Sequence, residues 1–340
     1  MRAAIRRPTA LWIMTDEHRP DLLGSYESKW AYSPNPDRLA ESGVRFESAY
    51  TPSPVCVPAR CSLLTGNSGS TIGVLHNQVR LSPETEFLTW SFEQAGYMTA
   101  SFGKKHYVFP GVRQSLQTER GSAPDGVVVD AEAYGTGYDP AKCGAVQYPD
   151  SPTRYIRHRW ILAGKFPSPI SESAEDKNVN LALRWLEQRD GDRPFLLRLS
   201  LNAPHTPVVA PERFLRLIDS KRIELPVASN AEIAHATAGI ACPAVEARAI
   251  AGIRPFATPV FSELEFGYQK YRDSDRQVMI REGRFKMSMF ISGEPDGELH
   301  DLERKPLEWE NHPARAGIAA RLKSTIVEWD RSRGLAGAAS

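Results

Sequence analysis

Ser53-Pro54-Val55-Cys56-Val57-Pro58-Ala59-Arg60-Cys61-Ser62-Leu63-Leu64-Thr65-Gly66 is the stretch around which the chain is organised. Cys56 stands at the mouth of a predicted helix, because Pro58 suits a first-turn position and Leu63 and Leu64 supply an apolar face. Upstream, Thr51-Pro52-Ser53-Pro54 can continue neither a helix nor a central strand, so it forms a shaped loop. A helix N-terminus presents unpaired N–H groups and partial positive charge, which suits an anion, and Arg60 adds a fixed charge near the same end. Taken alone, a cysteine is more often a buried structural residue.

The neighbours of Cys56 change that reading. Cys-x-Pro-x-Arg followed by Leu-Thr-Gly resembles the signature of the formylglycine-dependent sulfatases. The resemblance implies that a formylglycine-generating enzyme oxidises Cys56 to formylglycine, whose hydrate attacks the sulfur of a sulfate ester, with Arg60 orienting it. It also implies an α/β fold of the alkaline-phosphatase-like kind, an α/β/α sandwich with a small C-terminal α+β subdomain.

Bulk properties fit a soluble globular protein. Hydrophobic content of 41% and charged content of 24% are ordinary, and 340 residues can hold one large domain or a large and a small one. A net charge of +1 gives no electrostatic case for nucleic acid or an acidic membrane surface. Cys56, Cys61, Cys143 and Cys242 show no Cys-x-x-Cys spacing, so neither a zinc site nor a disulfide framework is indicated. After the basic residues up to Arg7, the apolar run from Ala10 to Met14 is too short for a signal-peptide core or a membrane span. A cytoplasmic protein is expected.

Leu11 to Met14 reads as a buried strand that ends at Thr15-Asp16-Glu17-His18-Arg19. Carboxylates at the C-terminal end of a strand lie where α/β proteins place their sites. The sulfatase resemblance makes Asp16 and Glu17 ligands of a divalent cation, usually calcium, together with residue 56; Glu17 stands where aspartate is usual. Asn35 to Gly43 is a predicted capped helix, and the alternation of Val44, Phe46 and Ser48 predicts a strand from Val44 to Tyr50. His76 and Asn77 fall where the family often contacts substrate.

Ser82-Pro83-Glu84 opens a predicted helix with Leu88, Phe92 and Ala95 on one face. A strand from Tyr97 to Phe102 then runs into Gly103-Lys104-Lys105-His106, which is similar to the sulfatase Gly-Lys-x-His element. By that resemblance Lys104 clamps sulfate oxygens and His106 is the base that regenerates the aldehyde. Residues from Pro110 to Pro169, including the basic and aromatic run Arg154 to Trp160, read as a variable insertion lining the substrate mouth. A helix from Ser173 to Arg189 carries Val179, Leu183 and Leu186, and a strand from Pro194 to Leu201 ends at Asn202-Ala203-Pro204-His205-Thr206-Pro207. Pro-His-x-Pro resembles the family element whose histidine contacts sulfate and helps the leaving oxygen depart, a role that falls to His205.

Beyond Pro211 the pattern changes. The family has a later strand ending in Asp-His or Asp-Asn and a second active-site lysine, yet no such dipeptide follows His205. The resemblance resumes at Phe261, with two strands between Val278 and Phe290 around a glycine turn, a Glu298-Leu299-His300-Asp301-Leu302 run, and a last helix carrying Ile318, Leu322, Ile326 and Trp329 on one face. The expected organisation is a trimmed catalytic domain over 1–225, a Pro- and Ala-rich connection over 226–260, and a C-terminal subdomain of small antiparallel sheet plus helix over 261–335. The expected function is hydrolysis of a small-molecule or carbohydrate sulfate ester, slowed by the missing acidic pair. Phosphonate or phosphodiester hydrolysis at the same site is the rival chemistry, and an inactive remnant the rival from another class.

Overall fold

The structure is a computed structural model. It describes residues 7–77, 79, 81, 85–104, 163–189, 191, 193–205, 208–219, 259–265, 276–291, 297–303 and 316–333. His106, most of the expected insertion and nearly all of the 226–260 connection lie outside the described residues. The chain groups into two units, one of Met1–His18 with Pro83–Ser220 and one of Arg19–Ser82 with Lys221–Ser340. No helix among the described residues is long and apolar enough to cross a membrane.

The first unit is built on a parallel sheet of β1 (Ala10–Met14), β2 (Met98–Gly103) and β4 (Phe195–Ser200), in the order β1-β4-β2. Two shorter strands, β3 (Ala163–Lys165) and β5 (Val208–Ala210), pair in parallel with each other. Strand β4 is flanked on both edges and all six of its residues are buried, which explains its near-continuous apolar sequence. The helix Ala174–Gln188 starts where Ser173 Oγ accepts from the Asp176 N–H at 3.1 Å, an N-cap bond. Its Leu181 and Ala182 pack on Ala100, Phe102, Phe195, Leu197 and Leu199, and Trp185 meets Phe195 edge-on at 5.6 Å. Leu11 and Ile13 pair in register with Leu197 and Leu199 and so share that face, but they are 58% and 56% exposed. The helix packs on β2 and β4 and stops short of β1.

The second unit contains an antiparallel meander of β6 (Val260–Glu265), β7 (Arg276–Glu282), β8 (Phe285–Phe290) and β9 (Gly297–Asp301). Gly283, at φ +58°, takes the first of two positions joining β7 to β8, where paired strands favour a left-handed residue. The helix Ala316–Ser332 lays Leu322 and Ile326 on Val278, Ile280, Met287, Met289 and Leu299, and Trp329 stacks on Phe261 at 4.6 Å. The face expected from Ile318, Leu322, Ile326 and Trp329 is the one that packs.

Two elements of this unit differ from expectation. The helix Pro34–Ser42 begins one residue before Asn35, and Ser33 fills the cap position. Its hydroxyl is committed to the Asp37 carboxylate at 3.0 Å and accepts from Gly24 N–H at 2.8 Å. Residues 44–50 form no strand: Val44 and Phe46 are 80% and 70% exposed, and the Phe46 carbonyl accepts from Tyr26 OH at 2.8 Å. Three alternating residues carry period two without a sheet to receive them.

The meander also braces the segment that leads to Cys56. Glu263 N–H donates to the Pro52 carbonyl at 2.9 Å, and the buried Glu263 carboxylate accepts from Ser70 N–H at 2.7 Å and from Arg276 at 3.4 Å. Arg276 also pairs with Asp330 on the last helix, and Arg281 donates to Tyr50 OH. Residues 193 to 231 positions apart thereby fix both flanks of the Cys56 helix.

In the first unit the tightest backbone approach is at Gly103, which has φ +89° and where a Cβ would lie 1.9 Å from the Ser200 carbonyl oxygen. Gly103→Ala should therefore cost about 3 kcal/mol or more, from left-handed strain plus overlap. Urea denaturation checks this, and a midpoint unchanged from the parent would contradict it.

Candidate active site

In the second unit Cys56 is the first residue of the helix Cys56–Thr65, which ends at Gly66 in the left-handed conformation. A helix must find partners for its first N–H groups. Val55, at the cap position, offers no side-chain acceptor, and Pro58 has no N–H to satisfy. Ala59 N–H donates to the Val55 carbonyl at 2.9 Å, and Val57 N–H donates to Asn77 Oδ1 at 2.9 Å. Asn77 thus performs from twenty residues away what a capping side chain usually does locally. It was expected to touch substrate; its carbonyl oxygen is engaged by the helix mouth. His76, beside it, is half-buried.

Arg60 lies one turn beyond Cys56, on the same side of the helix, and is buried. Cys56 is half-buried, whereas Cys61 is fully buried and its thiol is pushed up to about 12 by desolvation. A thiol held there stays protonated near neutrality and is a poor nucleophile. Of the two cysteines in the helix, Cys56 is the accessible one.

In the first unit the candidate residues stand at the carboxyl ends of three parallel strands. Asp16 follows β1, Lys104 follows β2 and His205 follows β4. The Lys104 ammonium, only 1% exposed, donates to the buried Asp16 carboxylate. The backbone of Lys104 is fixed as well: its N–H donates to the Ser200 carbonyl at 2.8 Å, and its carbonyl accepts from Arg198 at 2.9 Å. Arg198 is itself buried, donates to Ser101 Oγ at 2.8 Å and lies over the Trp12 ring at 5.9 Å.

Glu17 takes a left-handed backbone, φ +58°, and its carboxylate Oε1 lies 3.4 Å from His205 Nε2. The neighbouring His18 is held below its usual range by burial, with Nδ1 3.4 Å from Thr15 Oγ1. The turn that carries His205 is clamped at Ala203. Its N–H donates to Glu175 Oε1 at 3.1 Å, its carbonyl accepts from Asp16 N–H at 3.4 Å, and His205 N–H closes onto Asn202 O at 2.9 Å. Glu175 and Arg198 were not picked out from sequence. Arg198 had a signal, since a charge within Leu196-Leu197-Arg198-Leu199 must find partners inside a sheet buried on both faces. Glu175 had none, because first-turn acids are common on any helix.

The donor chemistry here fits a hard divalent cation. Asp16 and Glu17 offer carboxylate oxygens, and the Asp16 carboxylate lies in a buried place that already stabilises a positive charge.

The sulfatase family model matches residues 8–222, nearly two-thirds of the chain. The chain belongs to the sulfatase family. Among curated sulfatases, an arylsulfatase of Clostridium perfringens is 27% identical over 238 residues, covering 65% of this chain and 48% of that protein. An N-acetylglucosamine-6-O-sulfatase of Bacteroides thetaiotaomicron is 26% identical over 205 residues, covering 59% of this chain and 31% of that one. This sulfatase chain therefore spans less than half the length of the curated relatives it matches here. Its fold is similar to that of a phosphonate monoester hydrolase of Agrobacterium radiobacter, with a TM-score of 0.67 at 16% identity, covering 96% of this chain and 95% of that one. That likeness bears out the alkaline-phosphatase-like α/β architecture.

If Asn77 is the external cap of the Cys56 helix, Asn77→Ala should lower stability by about 1 kcal/mol while Asn77→Asp, which keeps an acceptor oxygen, stays near the parent. Urea denaturation reads both, and equal losses in the two variants would contradict the capping role.

Proposed function

We propose that this chain hydrolyses sulfate esters of small molecules or carbohydrates through residue 56, with a divalent cation at Asp16 and Glu17. The observation that carries the reading is the family match through residues 8–222, which runs through both units and contains the Cys56-x-Pro58-x-Arg60 stretch. The accessibility of Cys56, set against the desolvated Cys61, supports Cys56 as the residue modified by a formylglycine-generating enzyme. As a hydrated aldehyde, residue 56 would supply a nucleophile that can release its sulfate by returning to the carbonyl.

The chain's own side chains divide the remaining work. Arg60 orients residue 56, and Lys104 offers its ammonium to sulfate oxygens, which requires it to share its charge between substrate and Asp16. His205, its turn held by Glu175 and its ring facing Glu17, gives a proton to the departing oxygen. His106 takes the proton that must leave residue 56 when sulfate is released. A bound calcium or similar ion would add charge stabilisation on the sulfate oxygens. Turnover is expected to be slow, because no Asp-His or Asp-Asn pair follows His205 to enlarge the ligand set. The substrate class draws on relatives named for aryl and N-acetylglucosamine-6-O sulfates.

Co-expression with a formylglycine-generating enzyme, followed by mass spectrometry of the peptide containing residue 56 and an aryl sulfate assay, tests the reading. Formylglycine should replace cysteine there, and Cys56→Ala should lower turnover by at least about a thousandfold. Unchanged turnover in Cys56→Ala would refute it. Faster turnover of a phenyl phosphonate monoester than of the aryl sulfate would move the chain to the phosphonate chemistry for which its structural neighbour is named.

A further inference from the structure

Calcium takes about six to eight oxygen ligands, commonly including amide carbonyls of asparagine. Two carboxylates, one of them turned toward a histidine, are a thin supply. A further oxygen sits in the neighbouring strand-end segment. Asn202 Oδ1 is buried and accepts no hydrogen bond among the described residues. A buried carbonyl oxygen without a donor costs about 1–3 kcal/mol, and in a native protein such an atom calls for a partner such as a water or an ion.

Its place in the fold narrows the choice. β1 and β4 run parallel, with Met14 level with Ser200, and the Leu201 N–H continues the ladder to the Met14 carbonyl at 2.7 Å. The next link joins Asp16 N–H to the Ala203 carbonyl at 3.4 Å. Asn202 therefore lies between two backbone bonds that tie its segment to the one carrying Asp16. Its own carbonyl accepts from His205 N–H at 2.9 Å, which fixes the backbone from which the side chain springs.

We propose that Asn202 Oδ1 is an oxygen ligand of the divalent cation alongside Asp16. This assignment rests on the sulfatase reading for the presence of an ion, and its test does not depend on turnover. The amide supplies an oxygen without a charge, so it raises the ligand number without adding to the negative charge that the Lys104 ammonium already offsets. The bound ion becomes the missing partner of an otherwise costly buried atom.

Calcium alone is the probe, titrated by calorimetry into the full-length protein and into Asn202→Ala and Asn202→Asp. The parent should bind calcium, Asn202→Ala should bind at least about tenfold more weakly, and Asn202→Asp should bind as tightly or more tightly. Thermal melting supplies the second measurement. In calcium-free buffer Asn202→Ala should melt no lower than the parent, because it removes an unsatisfied oxygen, while in calcium the parent should gain more than the variant. Calcium binding unchanged by Asn202→Ala, or a loss of stability equal with and without calcium, would overturn the assignment. So would a parent protein that binds no calcium. A protein that binds calcium through Asn202 but does not turn over aryl sulfate would sustain the site and refute the sulfatase reading instead.

Discussion

A lysine and an aspartate buried together constrain everything at the strand ends of the first unit. Neither charge tolerates burial alone, and breaking such a pair by removing one member costs about 3–5 kcal/mol. The Lys104 ammonium can reach Asp16 only because β2 and β1 flank β4 in parallel, so that all three strands deliver their following residues to one end of the sheet. Gly103 allows β2 to turn against Ser200, and Arg198 secures the Lys104 carbonyl from inside the sheet. Charge at one point thus dictates a glycine, an arginine inside an apolar strand and the order of three strands.

The second unit solves a different problem, the mouth of a helix whose sequence offers no cap. Pro58 removes one donor and Asn77 receives another, so the turn carrying Cys56 is defined by residues outside the helix. The loop before it is held by strands from the far end of the chain, through Glu263 at Pro52 and Arg281 at Tyr50. This gives the C-terminal meander a purpose beyond its own core. It braces the segment that carries Cys56.

Much of the fold was legible because the relevant signals are local. The largely apolar stretch from Pro194 to Leu201, the spacing of Val179, Leu183 and Leu186, and that of Leu322, Ile326 and Trp329 each name their element without outside help. The Val44–Tyr50 alternation misled because period two says nothing of whether a neighbouring strand exists. β3 and β5, three residues each, are too short to carry a period. At the site, a carboxylate at a strand end together with the resemblance to the sulfatases pointed to Asp16, Lys104 and His205. The roles of Asn77, Glu175, Arg198 and Asn202 depend on partners twenty or more residues away, or on the lack of one, and no local pattern encodes that.

The central claim is that Asp16 and Lys104 form one buried electrostatic unit, and a double-mutant cycle of Asp16→Asn and Lys104→Met measures it directly. Denaturant unfolding of the parent, both single variants and the double variant should give singles that each lose about 3 kcal/mol or more, with a double variant well short of their sum. Losses that simply add would contradict the account, since they would mean that each charge is held by something other than its partner.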